Sequence, residues 1–299
     1  MTYKKHSLSS KRKMTMATII DGKRISAEIR VELAENTQEF IREYGIAPGL
    51  AVIIVGQDPA SQVYVRNKHK ACAEVGFYSE VHELAADADE QQVLDLIDAL
   101  NQNDAIHGIL VQLPLPKHLN EQKILLRIKP EKDVDAFHPY NVGKIMIGDY
   151  NVLPCTPAGV MQLLARSGVN ASGKHCVVIG RSNIVGKPMA MLLLHDNGTV
   201  TVCHSRTPDL KAQTLQADIL VSAVGRAGFV TADMVKPGAV VIDVGINRNA
   251  DGKLCGDVDF ASVSEVASMI TPVPGGVGPM TITMLLQNTL TAAKAACKQ

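Results

Sequence analysis

Short apolar runs alternate with longer stretches of helical periodicity along most of the chain. Residues 50–55 (LAVIIV) form a continuous apolar run, as expected of a strand buried on both faces. Asp58-Pro59 follows and supplies an N-cap and a proline for the first helical position, which predicts a helix to about Phe77. Asp89 with Gln92 three residues later reads as a capping box for a helix through Leu100. GILV (Gly108–Val111) is the next strand. Residues 114–156 are less regular and end in Thr156-Pro157, a second cap-and-proline pair, for a helix to about Ser167. A second strand–helix series then runs through residues 175–180, 199–203, 218–225 and 239–245. Strands alternating with helices predict an α/β fold with parallel sheets, in two domains that meet near residue 157. Residues 280–297 carry a long amphipathic pattern through Leu285, Leu286 and Leu290, expected to pack back on the first domain.

Composition narrows the function. The 299 residues are 46% hydrophobic, enough for two cores and incompatible with intrinsic disorder. With 30 basic and 30 acidic residues the formal net charge is zero, which argues against a nucleic-acid partner. The longest apolar runs are far shorter than the ~20 residues of a membrane span. Six scattered cysteines form no C-x-x-C pair and fit buried thiols in a reducing, cytoplasmic setting. The first sixteen residues are basic and Ser-rich without an apolar stretch, so they are expected to be a disordered or non-native tail rather than a secretory signal.

Candidate chemistry falls in two places. Residues 175–179 run into Gly180-Arg181-Ser182-Asn183-Ile184-Val185-Gly186, followed by an apolar helix. A strand, a Gly turn and a helix N-terminus form an anion cradle. Walker A is excluded, because five residues separate the glycines and Pro188 stands where its hydroxyl must be. The dinucleotide fingerprint is also inexact, with Ser182 for its middle glycine. The next strand ends in His204-Ser205-Arg206-Thr207, with no acid for a ribose. Ser205 and Arg206 there favour the 2′-phosphate of NADP over NAD; the alternative is a solvated loop.

Ahead of that turn, Ser61, Tyr64 and Lys68 stand at i, i+3 and i+7 on one helical face. They read either as a reactive Tyr–Lys pair or as a packing tyrosine and a surface lysine. Gln112 follows the strand GILV, Asp133 and Asp135 lie in KDVDAF, and residues 271–281 hold three glycines and three prolines, a shaped loop suited to a flat ligand. His138 and His204 lack ligand spacing and H-E-x-x-H is absent, so no metal site is expected.

Seven collinear segments carry a resemblance: YVRNKHKACAEVGF, GILVQLPLP, KDVDAFHPYNVG, PCTPAGV, VIGRSNIVGKPM, VIDVGIN and TPVPGGVGPMT. From about Ala17 to the last helix the chain resembles the bifunctional methylenetetrahydrofolate dehydrogenase/methenyltetrahydrofolate cyclohydrolases of the FolD type. The resemblance implies a folate-binding catalytic domain (17–157 plus 280–299), a Rossmann-like NADP domain (158–279), a cleft between them and a homodimer. It implies Lys68 as the catalytic lysine, with Tyr64 stacking on folate, Gln112 bonding Lys68 and substrate, and Asp135 holding the pterin. Leu113, Pro274, Gly275 and Gly276 would complete the folate site. Thr156, Gly180, Arg181, Ser182, Ile184, Ser205, Arg206, Ile246 and Thr281 would hold NADP. Ala136 departs from the family pattern, where glycine is usual; if the position needs positive φ, alanine strains the Asp135 loop. Apart from the resemblance, a shikimate-type dehydrogenase and a folate- or nucleotide-binding sensor without turnover stay open.

Overall fold

A computed structural model describes residues 16–298. The tail expected at residues 1–16 lies outside this range except for Met16. Two parallel sheets organise the chain. The first half runs β1 (Thr18–Ile19), α1 (Gly22–Tyr44), β2 (Gly49–Val55), α2 (Pro59–Val75), β3 (Tyr78–Leu84), α3 (Glu90–Gln102), β4 (Gly108–Val111), α4 (Glu121–Arg127) and α5 (Pro139–Ile147). The second runs α6 (Cys155–Arg166), β5 (His175–Ile179), α7 (Gly186–His195), β6 (Thr199–Cys203), α8 (Leu210–Thr214), β7 (Ile219–Ser222), β8 (Val240–Asp243), β9 (Asn247–Arg248), β10 (Leu254–Cys255), α9 (Phe260–Val263), β11 (Met269–Ile270) and α10 (Val277–Ala296). The small sheet has the order β3-β2-β4, the large one β1-β11-β8-β7-β5-β6, and β9 and β10 pair as an antiparallel ribbon.

Period-two alternation assigns the cores. Leu50, Val52 and Ile54 of β2 face a central core, while Ile53 and Val55 face an outer one with Ile97 and Ile109. In the large sheet Cys176, Val178, Ile219 and Val221 face the same central core, and Val177, Ile179, Leu220 and Val241 face a third. The central core therefore runs from one sheet to the other. Helix α10 bridges them, packing on α1 and α6 through buried Met280, Leu285, Leu286 and Leu290.

Several expectations need correction. Asp58 and Asp89 cap α2 and α3 as expected, the latter in a reciprocal capping box. Thr156, expected as an N-cap, instead lies inside α6, which starts at Cys155 without any side-chain cap bond. Thr18–Ile19, expected with the catalytic part, is the edge strand of the large sheet, paired in parallel with β11. The stretch read as irregular holds α4 and α5, capped by Asn120 and by His138 ahead of Pro139. Strand β3 carries no strand signal in the sequence because it is a half-exposed edge strand, YSEVHEL, with no continuous apolar run.

Candidate active site

Lys68 stands on α2, whose first turn is fixed by Asp58 accepting from the Ser61 N–H at 2.8 Å. The lysine is buried, only 8% exposed, and so is Ser61 two turns earlier on the same face, whereas Tyr64 between them is 41% exposed. The face that could have been a solvated surface thus leads the amine inward. Strand β4 ends at Val111, and Gln112 beyond it turns to meet the lysine: Nζ donates to Gln112 Oε1 at 2.9 Å. Gln112 Nε2 donates to the Leu113 carbonyl at 2.7 Å. That second bond orients the amide, leaving its oxygen for the lysine.

The Asp135 loop reaches the pocket from the other side. Asp133 is buried at its base, accepting from the His138 N–H and from Asn141 Nδ2, at 2.8 and 2.9 Å. Asp133 thus closes the turn that leads into α5. Ala136, immediately after Asp135, is fully buried at φ +56°, so the strain expected of alanine there is present. Asn288 of α10 donates to the Val134 and Leu153 carbonyls at 2.8 and 2.7 Å, tying the loop to the bridging helix. Cys155 Sγ lies 3.6 Å from Asp135 Oδ1 and 3.7 Å from the Val134 oxygen. Neither Asn288 nor Cys155 was found by sequence reasoning. A polar residue inside the Leu285–Leu290 stripe was the available signal for Asn288.

Burial dominates the electrostatics of this pocket. It pushes the Lys68 ammonium below the ordinary lysine range, while the charge of Asp135 pulls it back up. Burial likewise raises the Asp135 carboxyl to about 6, against the opposing pull of Lys68. The Cys155 thiol is driven well above its usual value by the same burial and by Asp135, so it is an inert thiol here.

The nucleotide turn lies at the carboxyl end of β5. Gly180 has φ +131°, and a Cβ there would sit 2.4 Å from the Ala223 oxygen. A Cβ on Gly186 would sit 2.3 Å from the Gly180 oxygen. The turn therefore closes only with glycine at both ends. Ser182 Oγ accepts from the Val185 and Gly186 N–H groups at 3.1 and 3.2 Å. Serine replaces the fingerprint's middle glycine because its hydroxyl caps α7, which has no other side-chain cap. Arg181, Ser182 and Ile184 are exposed around this cradle. After β6, the His204 N–H donates to Thr207 Oγ1 and the Arg206 N–H to His204 Nδ1, at 2.8 and 3.1 Å. The loop is thereby shaped while the Ser205 and Arg206 side chains stay exposed. This donor set fits a phosphorylated dinucleotide: a backbone cradle, an arginine, and a hydroxyl–guanidinium pair one strand over.

The remaining predicted residues divide between the two centres. Thr156 and Thr281 meet at 3.2 Å, Oγ1 to Oγ1, where α6 and α10 begin. Gly275 and Gly276 are buried, the Gly275 oxygen accepting from the Lys23 N–H at 3.1 Å, and Pro274 is exposed beside them. Ile246 is 53% exposed on the loop after β8. Buried Lys68 and half-buried Gln112 and Asp135 thus form one group, and the Gly180 turn and Ser205–Arg206 a second, at different sheets. Among the described residues no cluster of three or more His, Cys, Asp or Glu could hold a metal ion.

Comparison with known proteins agrees with this division. Residues 20–135 match the tetrahydrofolate dehydrogenase/cyclohydrolase catalytic domain and residues 154–297 the NAD(P)-binding domain of the same family. The chain is 61% identical to the bifunctional protein FolD of Magnetococcus marinus, over 94% of this chain and 99% of that one. A crystal structure of the FolD methylenetetrahydrofolate dehydrogenase/cyclohydrolase from Campylobacter jejuni superposes with a TM-score of 0.91 at 52% identity, covering 93% of this chain and 99% of that one. The Trypanosoma brucei enzyme, crystallised with NADP and an inhibitor, gives 0.91 at 44% identity, covering 96% and 100%. The chain belongs to the tetrahydrofolate dehydrogenase/cyclohydrolase family.

Proposed function

We propose that this chain oxidises methylenetetrahydrofolate to methenyltetrahydrofolate with NADP⁺ and hydrolyses the product to formyltetrahydrofolate, with Lys68 serving the hydrolytic step. The observation that carries the reading is the buried Lys68 amine held 2.9 Å from Gln112. NADP⁺, when bound, accepts a hydride from the one-carbon bridge. Two nitrogens flank that carbon and delocalise the cation left behind, so the protein's task in oxidation is alignment. Tyr64 and Asp135 hold the folate, with Leu113 and the loop carrying Pro274, Gly275 and Gly276 around it. Arg181, Ser182 and Ile184, together with Ser205 and Arg206, bind NADP, assisted by Thr156, Ile246 and Thr281.

Hydrolysis needs a group that takes a proton from water and returns one to the departing ring nitrogen. A lysine at its ordinary pKa is protonated and cannot accept. Burial lowers Lys68 toward the working range, and the cationic methenyl substrate beside it lowers it further. One N–H stays on Gln112, which leaves the lone pair of the neutral amine for water. Asp135, largely ionised above pH 6, offsets the positive charge that appears on Lys68 once it has taken the proton. The free cysteines, four of them buried, suit a reducing cytoplasm, and the family resemblance supports a homodimer.

The test is an assay following methylenetetrahydrofolate and NADP⁺ through the methenyl absorbance to formyl product, in wild type and Lys68→Met. Wild type should show both steps. Lys68→Met should lose ~10²–10⁴-fold in hydrolysis, the usual contribution of a general acid–base group. Near-normal hydrolysis by Lys68→Met would remove the lysine from the mechanism.

A further inference from the structure

Two buried aspartates stand at the carboxyl end of the large sheet, apart from the lysine pocket. Asp243 closes β8 and is 3% exposed; Asp257 follows the β9–β10 ribbon and is fully buried. Asp257 Oδ2 accepts from Ser222 Oγ and from the Val224 and Gly225 N–H groups, at 3.2, 2.7 and 3.2 Å. Its Oδ1 accepts from the Arg226 N–H and Asn247 Nδ2, at 2.8 and 2.9 Å. Asp243 in turn accepts from the N–H groups of Gly245, Asp257 and Val258, each at 2.9 Å. The fit is close: a Cβ on Gly256 would sit 1.8 Å from Asp243 Oδ2.

One carboxylate thus gathers the loops that leave two adjacent strands, residues 223–226 after β7 and 244–247 after β8. In an open parallel sheet those carboxyl ends are where a dinucleotide lies. Both loops also border the cofactor elements already described. Ala223 is the wall against which Gly180 closes, and Ile246 precedes the tethered Asn247. Five donors converge on Asp257, and only an acceptor-only group can receive them all. An amide in its place would turn its own N–H₂ toward at least two of these donors.

We infer that Asp257 is a positioning residue for the dehydrogenase step: it holds loops 223–226 and 244–247 in the shape that seats NADP. This rests on the dehydrogenase reading above. It makes a prediction that a purely stabilising role does not, because hydrolysis of methenyltetrahydrofolate needs the lysine pocket and no cofactor.

Full-length Asp257→Asn and Asn247→Ala are compared with wild type in three measurements: KM for NADP⁺ in oxidation, cofactor-free hydrolysis of methenyltetrahydrofolate, and NADPH titration by fluorescence. Asp257→Asn should raise KM for NADP⁺ and the NADPH dissociation constant by ~10-fold or more, the scale of losing bonds to a buried charged acceptor. Asn247→Ala should raise both by less, and hydrolysis should keep its wild-type constants in both variants. A parallel fall in oxidation and hydrolysis, or unchanged NADP⁺ and NADPH constants, overturns the assignment. If Asp257→Asn does not fold, Asn247→Ala decides alone, and unchanged cofactor constants in it are a refutation. If wild type shows neither activity, the functional reading fails instead, and the NADPH titration still decides the role of Asp257.

Discussion

Ala136 shows how much one methyl group can matter. Its φ of +56° is the left-handed region, which costs a residue with a Cβ roughly 1–2 kcal/mol. It is fully buried between Asp135 and the α5 cap, so the strain falls on the turn that aims Asp135. Ala136→Gly relieves it, at the expense of a more flexible unfolded chain. The net expectation is a stabilisation of about 1 kcal/mol or slightly less, read as a higher urea midpoint at unchanged slope. A lower midpoint would show that the protein accommodates alanine there without strain. The departure was visible as a letter in the chain; the sign of φ that makes it consequential was not.

Among elements, the small sheet illustrates how a polar side chain can serve a strand. His107 is 5% exposed just ahead of β4, and its Nδ1 accepts from the Gly49 N–H at 2.9 Å where β2 begins. That bond needs a neutral ring nitrogen. Burial, with Lys132 nearby, holds the ring below the usual histidine range, so the unfolded chain takes up a proton more readily than the folded one. By linkage the stability from this contact is complete above the unfolded value, ~6.5, and is lost as pH falls through it toward the lower folded value. In His107→Asn the amide oxygen can accept in the same place and does not titrate. Its denaturation midpoint should fall less than that of wild type between pH 7 and pH 5. Equal falls would mean that His107 contributes nothing to the acid sensitivity. The same logic of local chemistry made α2 and α3 readable from their capping aspartates, and it misled at Thr156. There the backbone enters α6 one residue before the cap-and-proline pair, and the threonine hydroxyl turns to Thr281 instead.

Over the whole molecule, the proposed oxidation draws on both sheets. The residues proposed to hold folate lie on α2, just after β4 and in the Asp135 loop, those proposed for the cofactor mainly at the ends of β5 and β6, and α10 packs on helices of both halves. In the proposed reading, selectivity for the 2′-phosphate comes from the loop after β6, which carries Ser205 and Arg206. Arg206→Ala should weaken NADP⁺ by ~1.5–3 kcal/mol, the value of a hydrogen bond to a charged group, and weaken NAD⁺ far less. Steady-state constants for both cofactors measure this, and equal weakening would reject a 2′-phosphate role for Arg206.

The boundary between local and tertiary information runs through particular residues. Strands β2, β4, β5, β7 and β8 were legible because each is buried on both faces or nearly so, which leaves a continuous apolar run, whereas the edge strand β6 (TVTVC) was legible from its β-branched residues. The Gly180 turn was legible because a strand-to-helix turn that tight admits only a few residue types. Spacing alone placed Ser61, Tyr64 and Lys68 on one face, and family resemblance supplied their chemistry. What residue order could not decide was which way that face points, since a lysine on a helix reads the same whether it meets water or Gln112. Nor could it decide that Thr18–Ile19 would close the large sheet from the far end of the chain, or that Asp243 and Asp257 would share one nest of donors. Those outcomes depend on segments from 14 to about 250 residues apart coming into hydrogen-bond range, and that proximity is a product of packing, not of periodicity.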